Sequence, residues 1–203
     1  MKRNSQINYL IKIALLSAVA GVLMLIEAPL AIFPEFLKLD ISDLPAIIGA
    51  IVMGPIAGAL VELIKVLLNF ILNGTMTGGI GELANLLIGV SLVVPVGLIY
   101  KKMPSLKGAV IGGLVGTVCM TVIGAGLNYF VLLPLYANLF GMEVTGFVDM
   151  AANLPVFGQF METLWDFILF SVVPFNLLKG LLVTVIMGVI YKFVIPPLMR
   201  IQN

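Results

Sequence analysis

Apolar residues run along this chain in long unbroken blocks, not in the alternating or striped patterns of a water-soluble fold. The blocks predict six helices, at about residues 7–28, 43–53, 55–72, 81–100, 106–136 and 162–195. A helix needs about 20 apolar residues to cross the ~30 Å hydrocarbon layer of a membrane. The stretch 44–72 is longer than one crossing requires and is broken at Gly54-Pro55. Proline removes a helix N–H there, and glycine permits a turn. Length alone leaves two readings of this stretch, one long tilted helix or two short ones.

Charge placement separates them. The N-terminal region carries Lys2, Arg3 and Lys12, the 101–107 loop carries Lys101, Lys102 and Lys107, and the C-terminal region carries Lys192 and Arg200. None of the three contains an acid. Segments 27–43 and 143–166 hold Glu27, Glu35, Asp40, Asp43, Glu143, Asp149, Glu162 and Asp166, with Lys38 as their only cation. Cytoplasmic loops carry the excess of Lys and Arg, so the N-terminus and the 101–107 loop share the inner side. An even number of crossings must then separate them, which makes 44–72 two helices. The expectation is an all-α integral membrane protein: one six-helix domain over 1–203, both termini inside. The short 43–53 helix must tilt, or draw on the loop before it. Residues 29–43 and 137–160 form external caps. The basic start followed by an apolar run is read as the first helix and not as a cleaved signal.

Composition agrees and excludes whole classes. The chain is 61% hydrophobic and 10% charged, against about 45–50% and 25% in soluble proteins. Its net charge of +1 provides no field for nucleic acid. With no histidine, imidazole-based zinc sites and Ser-His-Asp triads are excluded. Cys119 is the single cysteine, so there is no internal disulfide or cysteine-cluster metal site. No phosphate-binding GxxxxGK[ST] loop is present. No catalytic residue and no cofactor is expected.

Small residues four apart let helices approach closely in lipid. Gly108, Gly112 and Gly116 form such a stripe, as do Gly54 and Gly58, and both read as internal packing. Ala14 and Ala18 on the first helix are either internal packing or a docking face for a partner.

Ionisable residues at membrane depth are functional candidates. Glu62 and Lys65, three apart on one helix face, read as a local structural pair. Glu82 and Lys179 lack a local partner. With Asn128 and Asn176 they are expected to converge on one pocket in the outer half of the bundle. The competing reading is a buried Glu82–Lys179 ion pair with two structural amides. Phe157, Phe160, Trp165, Tyr129 and Tyr136 lie nearby in the sequence. Amides offer donors and acceptors, and an apolar pocket with a few placed polar groups suits a flat, partly polar small molecule.

These residues carry a resemblance. GELAN around Glu82, LNYF around Asn128, PFNLLK with Asn176 and Lys179, the LDISDLPAIIGAIVMGPIAG segment and the AxxxA of the first helix together resemble the S components of energy-coupling-factor vitamin transporters, riboflavin branch. The resemblance implies a multi-pass protein of the bacterial cell membrane that captures riboflavin as transported ligand. It implies association with a transmembrane coupling subunit and two cytoplasmic ATPases. By the same resemblance Glu82, Asn128, Asn176 and Lys179 contact ligand, residues 29–45 act as a lid, and Ala14 and Ala18 face the coupling subunit. The alternatives are an S component for pantothenate or biotin, and a self-sufficient proton-coupled carrier using Glu62 or Glu82. An enzyme using Glu82 and Lys179 as an acid–base pair lacks any nucleophile motif.

Overall fold

The computed structural model describes residues 2–200, with side chains for 6–199. The side chains of Lys2, Arg3 and Arg200, counted above for orientation, lie outside the described residues. The chain is almost entirely helical: α1 Lys2–Met24, α2 Asp43–Met53, α3 Pro55–Asn73, α4 Ile80–Lys102, α5 Leu106–Leu127, α6 Leu133–Phe140, α7 Thr145–Ala152, α8 Leu164–Phe167 and α9 Val173–Arg200. Inside a bilayer every backbone N–H and C=O must be satisfied within the protein, and a helix does this locally. Five helical segments have the length and apolarity to cross: Gln6–Met24, Pro55–Asn73, Ile80–Lys102, Leu106–Phe140 and Leu164–Met199.

The last two segments are composite. A π-helical turn, Asn128–Leu132, joins α5 to α6, and another, Ile168–Val172, joins α8 to α9. Pro134 and Pro174 each stand two residues after such a turn. A proline ring collides with the carbonyl four residues back, here that of Phe130 or Phe170, inside the π turn. The widened turn relieves that collision, and the N–H groups of Leu133 and Val173 reach five residues back, to Asn128 O and Ile168 O.

Between α2 and α3, Gly54 adopts φ +100°, open to glycine and strained for other residues, and Pro55 begins α3. At 11 residues α2 is roughly 16 Å long. The loop before it is drawn into the bundle, since Asp40 and Ser42 are both buried. The first helix stops at Met24, short of the 28 read from hydropathy. Pro29 disfavours helix at Ala28, and Ala28–Pro29 (β1) pairs antiparallel with Lys38–Leu39 (β2) instead. At the other extreme α9 runs past 195 through Pro196 and Pro197 to Arg200.

The glycine stripe of α5 sits against α4. A β-carbon on Gly116 would lie 2.4 Å from Leu92 O, and one on Gly112 2.9 Å from Val96 Cα. One core cluster, with Ile47, Val61, Leu92 and Met187, fills the half of the bundle near Gly54. A second, with Leu133, Phe147, Phe167 and Ile168, fills the opposite end. Tyr100 Oη and Tyr191 Oη, 2.8 Å apart, tie α4 to α9 at the Gly54 end. At the other end Phe36, from the β1–β2 connection, packs its ring on those of Tyr136, Phe147 and Phe167.

Candidate binding site

Beneath Phe36, Leu37 and Lys38 lies a cavity of about 160 Å³. Its polar lining comes from Asp43 at the start of α2, Asn85 on α4, Asn128 in the first π turn, Tyr136 on α6, and Asn176 and Lys179 on α9. Ile88, Met120, Leu132 and Phe175 supply the apolar wall.

The two amides are oriented by their own helices. Asn128 Nδ2 donates to Gly124 O at 2.8 Å, and Asn176 Nδ2 donates to Val172 O at 2.9 Å. A backbone carbonyl only accepts, so each amide nitrogen must face it, which leaves both Oδ1 atoms as acceptors. Gly124 makes room for the pair: a β-carbon there would lie 2.9 Å from Asn176 Nδ2.

Lys179 is buried and held by two carboxylates. Its Nζ lies 2.8 Å from Asp40 Oδ2 and 3.2 Å from Asp43 Oδ2. Asp40 is fixed in turn by the Ser42 N–H at 2.7 Å and by the Ser42 hydroxyl. Asp43 Oδ1 accepts from Lys65 Nζ at 2.6 Å, and Lys65 Nζ is also 2.6 Å from Glu62 Oε2. Asp40, Asp43, Glu62, Lys65 and Lys179 are all buried. Five ionisable side chains thus form one continuous network across α2, the loop before it, α3 and α9.

Of the four residues singled out from the sequence, three meet at the cavity: Asn128, Asn176 and Lys179. Glu82 stands at its rim. Its Oε2 accepts from the hydroxyls of Thr75 at 3.1 Å and Thr77 at 3.4 Å. Its neighbours Gly81 and Asn85, not Glu82 itself, line the space. The Glu82–Lys179 ion pair weighed as an alternative does not form. Glu62 and Lys65 do pair locally, and Asp43 joins them.

The sequence alone does not pair Asp40 and Asp43 with Lys179, because both lie in a segment whose composition reads as an external loop. A signal was present: an acid at each end of Asp40-x-x-Asp43, immediately before an apolar run, with two lysines elsewhere in the spans. Among the aromatics, Tyr136 lines the cavity, whereas Phe160 and Trp165 are exposed. Phe157 stacks on Phe33 with centroids 6.5 Å apart, and Tyr129 meets Trp165 edge-on at 5.7 Å. Phe36 and Phe175 take the places expected of them. On α1, Ile13, Ser17, Ala20 and Met24 turn inward, while Ala14 and Ala18 lie on the exposed face. Among the described residues, no three His, Cys, Asp or Glu side chains are grouped to hold a metal ion.

A family model described as the ECF transporter substrate-specific component matches residues 8–191. The chain is 37% identical over 192 residues to the "Riboflavin transporter RibU" of Staphylococcus aureus (strain TCH60), covering 94% of this chain and 93% of that protein. It is 35% identical over 187 residues to the "Riboflavin transporter FmnP" of Bacillus subtilis (strain 168), covering 92% and 91%. A solved structure described as "Structure and mechanism of the S component of a bacterial ECF transporter" superposes with a TM-score of 0.71 at 34% identity, covering 92% of this chain and 95% of that one.

Proposed function

The chain belongs to the substrate-specific components of ECF transporters, and from that premise we propose that it is the riboflavin-binding subunit of an ATP-driven importer in the bacterial plasma membrane. The observation that carries this reading is the cavity in which Asn128, Asn176 and Lys179 meet under an aromatic cover. Two side-chain carbonyls face N–H or hydroxyl donors of a ligand. The ammonium donates to Asp40 and stands 3.2 Å from Asp43 as an ion pair, which leaves it a donor for a ligand acceptor. Phe36, Phe175 and Tyr136 suit a flat heteroaromatic ring, which aromatic faces and edges receive well. Glu82 contributes at the rim.

At about 160 Å³ the pocket is below the roughly 300 Å³ at which ligand pockets usually begin. We assign the 29–45 segment, which carries Phe36, as the lid that moves aside to admit the ring and closes after it. Residues 103–105, Gly54 and the ends of α1 and α9 gather at the opposite end of the bundle, which we assign to the cytoplasm with its lysines. This gives six crossings with both termini inside. Single cysteines at positions 105 and 145, in a chain with Cys119→Ser, test it: position 145 should label from outside intact cells and position 105 should not.

The binding subunit has no nucleotide motif of its own, so uptake depends on a transmembrane coupling subunit and ATPases. We assign the exposed Ala14–Ala18 face of α1 to that contact. Titration of the purified protein with riboflavin, and cellular uptake, measured on the same Ala14→Trp/Ala18→Trp variant, test both parts. Affinity should persist while uptake and co-purification with the ATPases are lost. Uptake at the wild-type rate would remove the docking assignment, and a wild-type protein that ignores riboflavin would remove the ligand.

A further inference from the structure

The buried network beneath the cavity has an order to it. Lysine carries a compact charge on a flexible four-carbon stem, so a lysine that reads a ligand must be held from behind. Lys179 is held by Asp40 and Asp43, at 2.8 Å and 3.2 Å. Each carboxylate is anchored away from the cavity. Asp40 accepts from the backbone and hydroxyl of Ser42, and Asp43 accepts from Lys65, which is itself fully buried and bound to Glu62 on α3. The arrangement leaves a Lys179 donor free for the ligand while two fixed carboxylates, one on α2 and one in the loop before it, set where the ammonium sits.

We propose that Asp40 and Asp43 are positioning residues of the binding site, setting the place and direction of the Lys179 ammonium that meets the ligand. Glu62 stands apart from this role. Three carboxylates face two ammonium groups, and Glu62 pairs with Lys65 but neither reaches Lys179 nor lines the cavity; both its oxygens, like Asp43 Oδ2, lack a hydrogen-bond partner among the described residues. Removing the Glu62 charge leaves two of each sign, with both contacts to Lys179 intact. The proposal rests on riboflavin as the ligand only for its affinity arm.

The test uses the full-length protein in detergent. Riboflavin titrations are run on Asp40→Asn and Asp43→Asn, each alone and combined with Lys179→Met, with Glu62→Gln as the control. Each Asp variant should weaken binding roughly tenfold or more, as loss of a buried charge-assisted contact does. Glu62→Gln should stay near wild type. Residues that act through Lys179 cost nothing further once it is gone, so the combined variants should bind like Lys179→Met alone. Losses that multiply, or Asp variants that bind like wild type, overturn the proposal. Should Asp43→Asn fail to fold, Asp43→Asn with Glu62→Gln and Lys65→Met removes the Glu62–Lys65 pair whole, leaves no unmatched charge there and takes its place. A ligand-free arm separates this proposal from the functional reading. In ¹⁵N-lysine spectra Lys65 and Lys179 should give slowly exchanging ammonium signals. The Lys179 signal should shift in either Asp variant and persist unmoved in Glu62→Gln. An unmoved signal in both Asp variants overturns the proposal whatever the ligand. Wild-type protein that shows these spectra but does not bind riboflavin overturns only the ligand assignment.

Discussion

Each end of the bundle holds an open pocket, and the two are lined by different chemistry. Near Gly54, about 520 Å³ lies among Tyr9, Ile51, Pro55, Gly97, Tyr100 and Lys101. Beside it, Tyr100 Oη shares a neutral hydrogen bond with Tyr191 Oη and reaches Met199 Sδ at 3.9 Å. At the opposite end, about 160 Å³ is bounded by two oriented amides and a lysine gripped by two carboxylates. The larger void has the weaker claim to a ligand. A site is made by polar groups that the fold keeps buried and aimed at one space. In a membrane protein such groups persist only where the protein itself satisfies them. The smaller void is also the one under a cover, whose Phe36 meets three other aromatic rings.

Substitutions at the two ends test this contrast. The largest effect is expected from Lys65→Met, which strands Glu62 in the interior and leaves Asp43 with Lys179 alone. Breaking a buried ion network by removing one partner costs about 3–5 kcal/mol, read as a lowered unfolding temperature in detergent. A variant as stable as wild type would show that the network does not hold the bundle. Next, Asn176→Ala and Lys179→Ala should each weaken riboflavin binding by about 1–3 kcal/mol, the cost of leaving a buried polar partner unmet. Calorimetric titration checks this, and unchanged affinity in both would move the site elsewhere. Glu82→Gln, at the rim and tied to two threonines, should cost about 1 kcal/mol or less on the same assay. A loss equal to that of Asn176→Ala would place Glu82 in the cavity of the bound form. The smallest effect on binding belongs to Tyr100→Phe. It removes the neutral contacts of the Tyr100 hydroxyl to Tyr191 and Met199 at the other end, about 1 kcal/mol of stability, with affinity untouched.

Much of this molecule was legible along the chain. Block length and the near absence of charge dictate membrane helices, because hydrocarbon tolerates no unpaired backbone. Gly54-Pro55 dictates a break, because its stereochemistry is local. Gly112 and Gly116 announce a close helix contact, because residues four apart share a face whatever the partner. Asn128, Asn176 and Lys179 stood out because polar groups are rare in such blocks.

Tertiary structure alone decided what those groups meet. Lys179 and Asp40 are 139 positions apart, and no local spacing pairs them. Glu82 looked like the natural counter-charge, yet it turns to Thr75 and Thr77 beside it. Phe36 became a wall of the cavity only because β1 and β2 pair and fold their connection over the bundle. Local preference acts through the few residues either side of a position and is written in the sequence. A buried charge must instead be met by whichever opposite charge the packed helices bring within about 3 Å, and that is settled only when α2, α3 and α9 stand side by side.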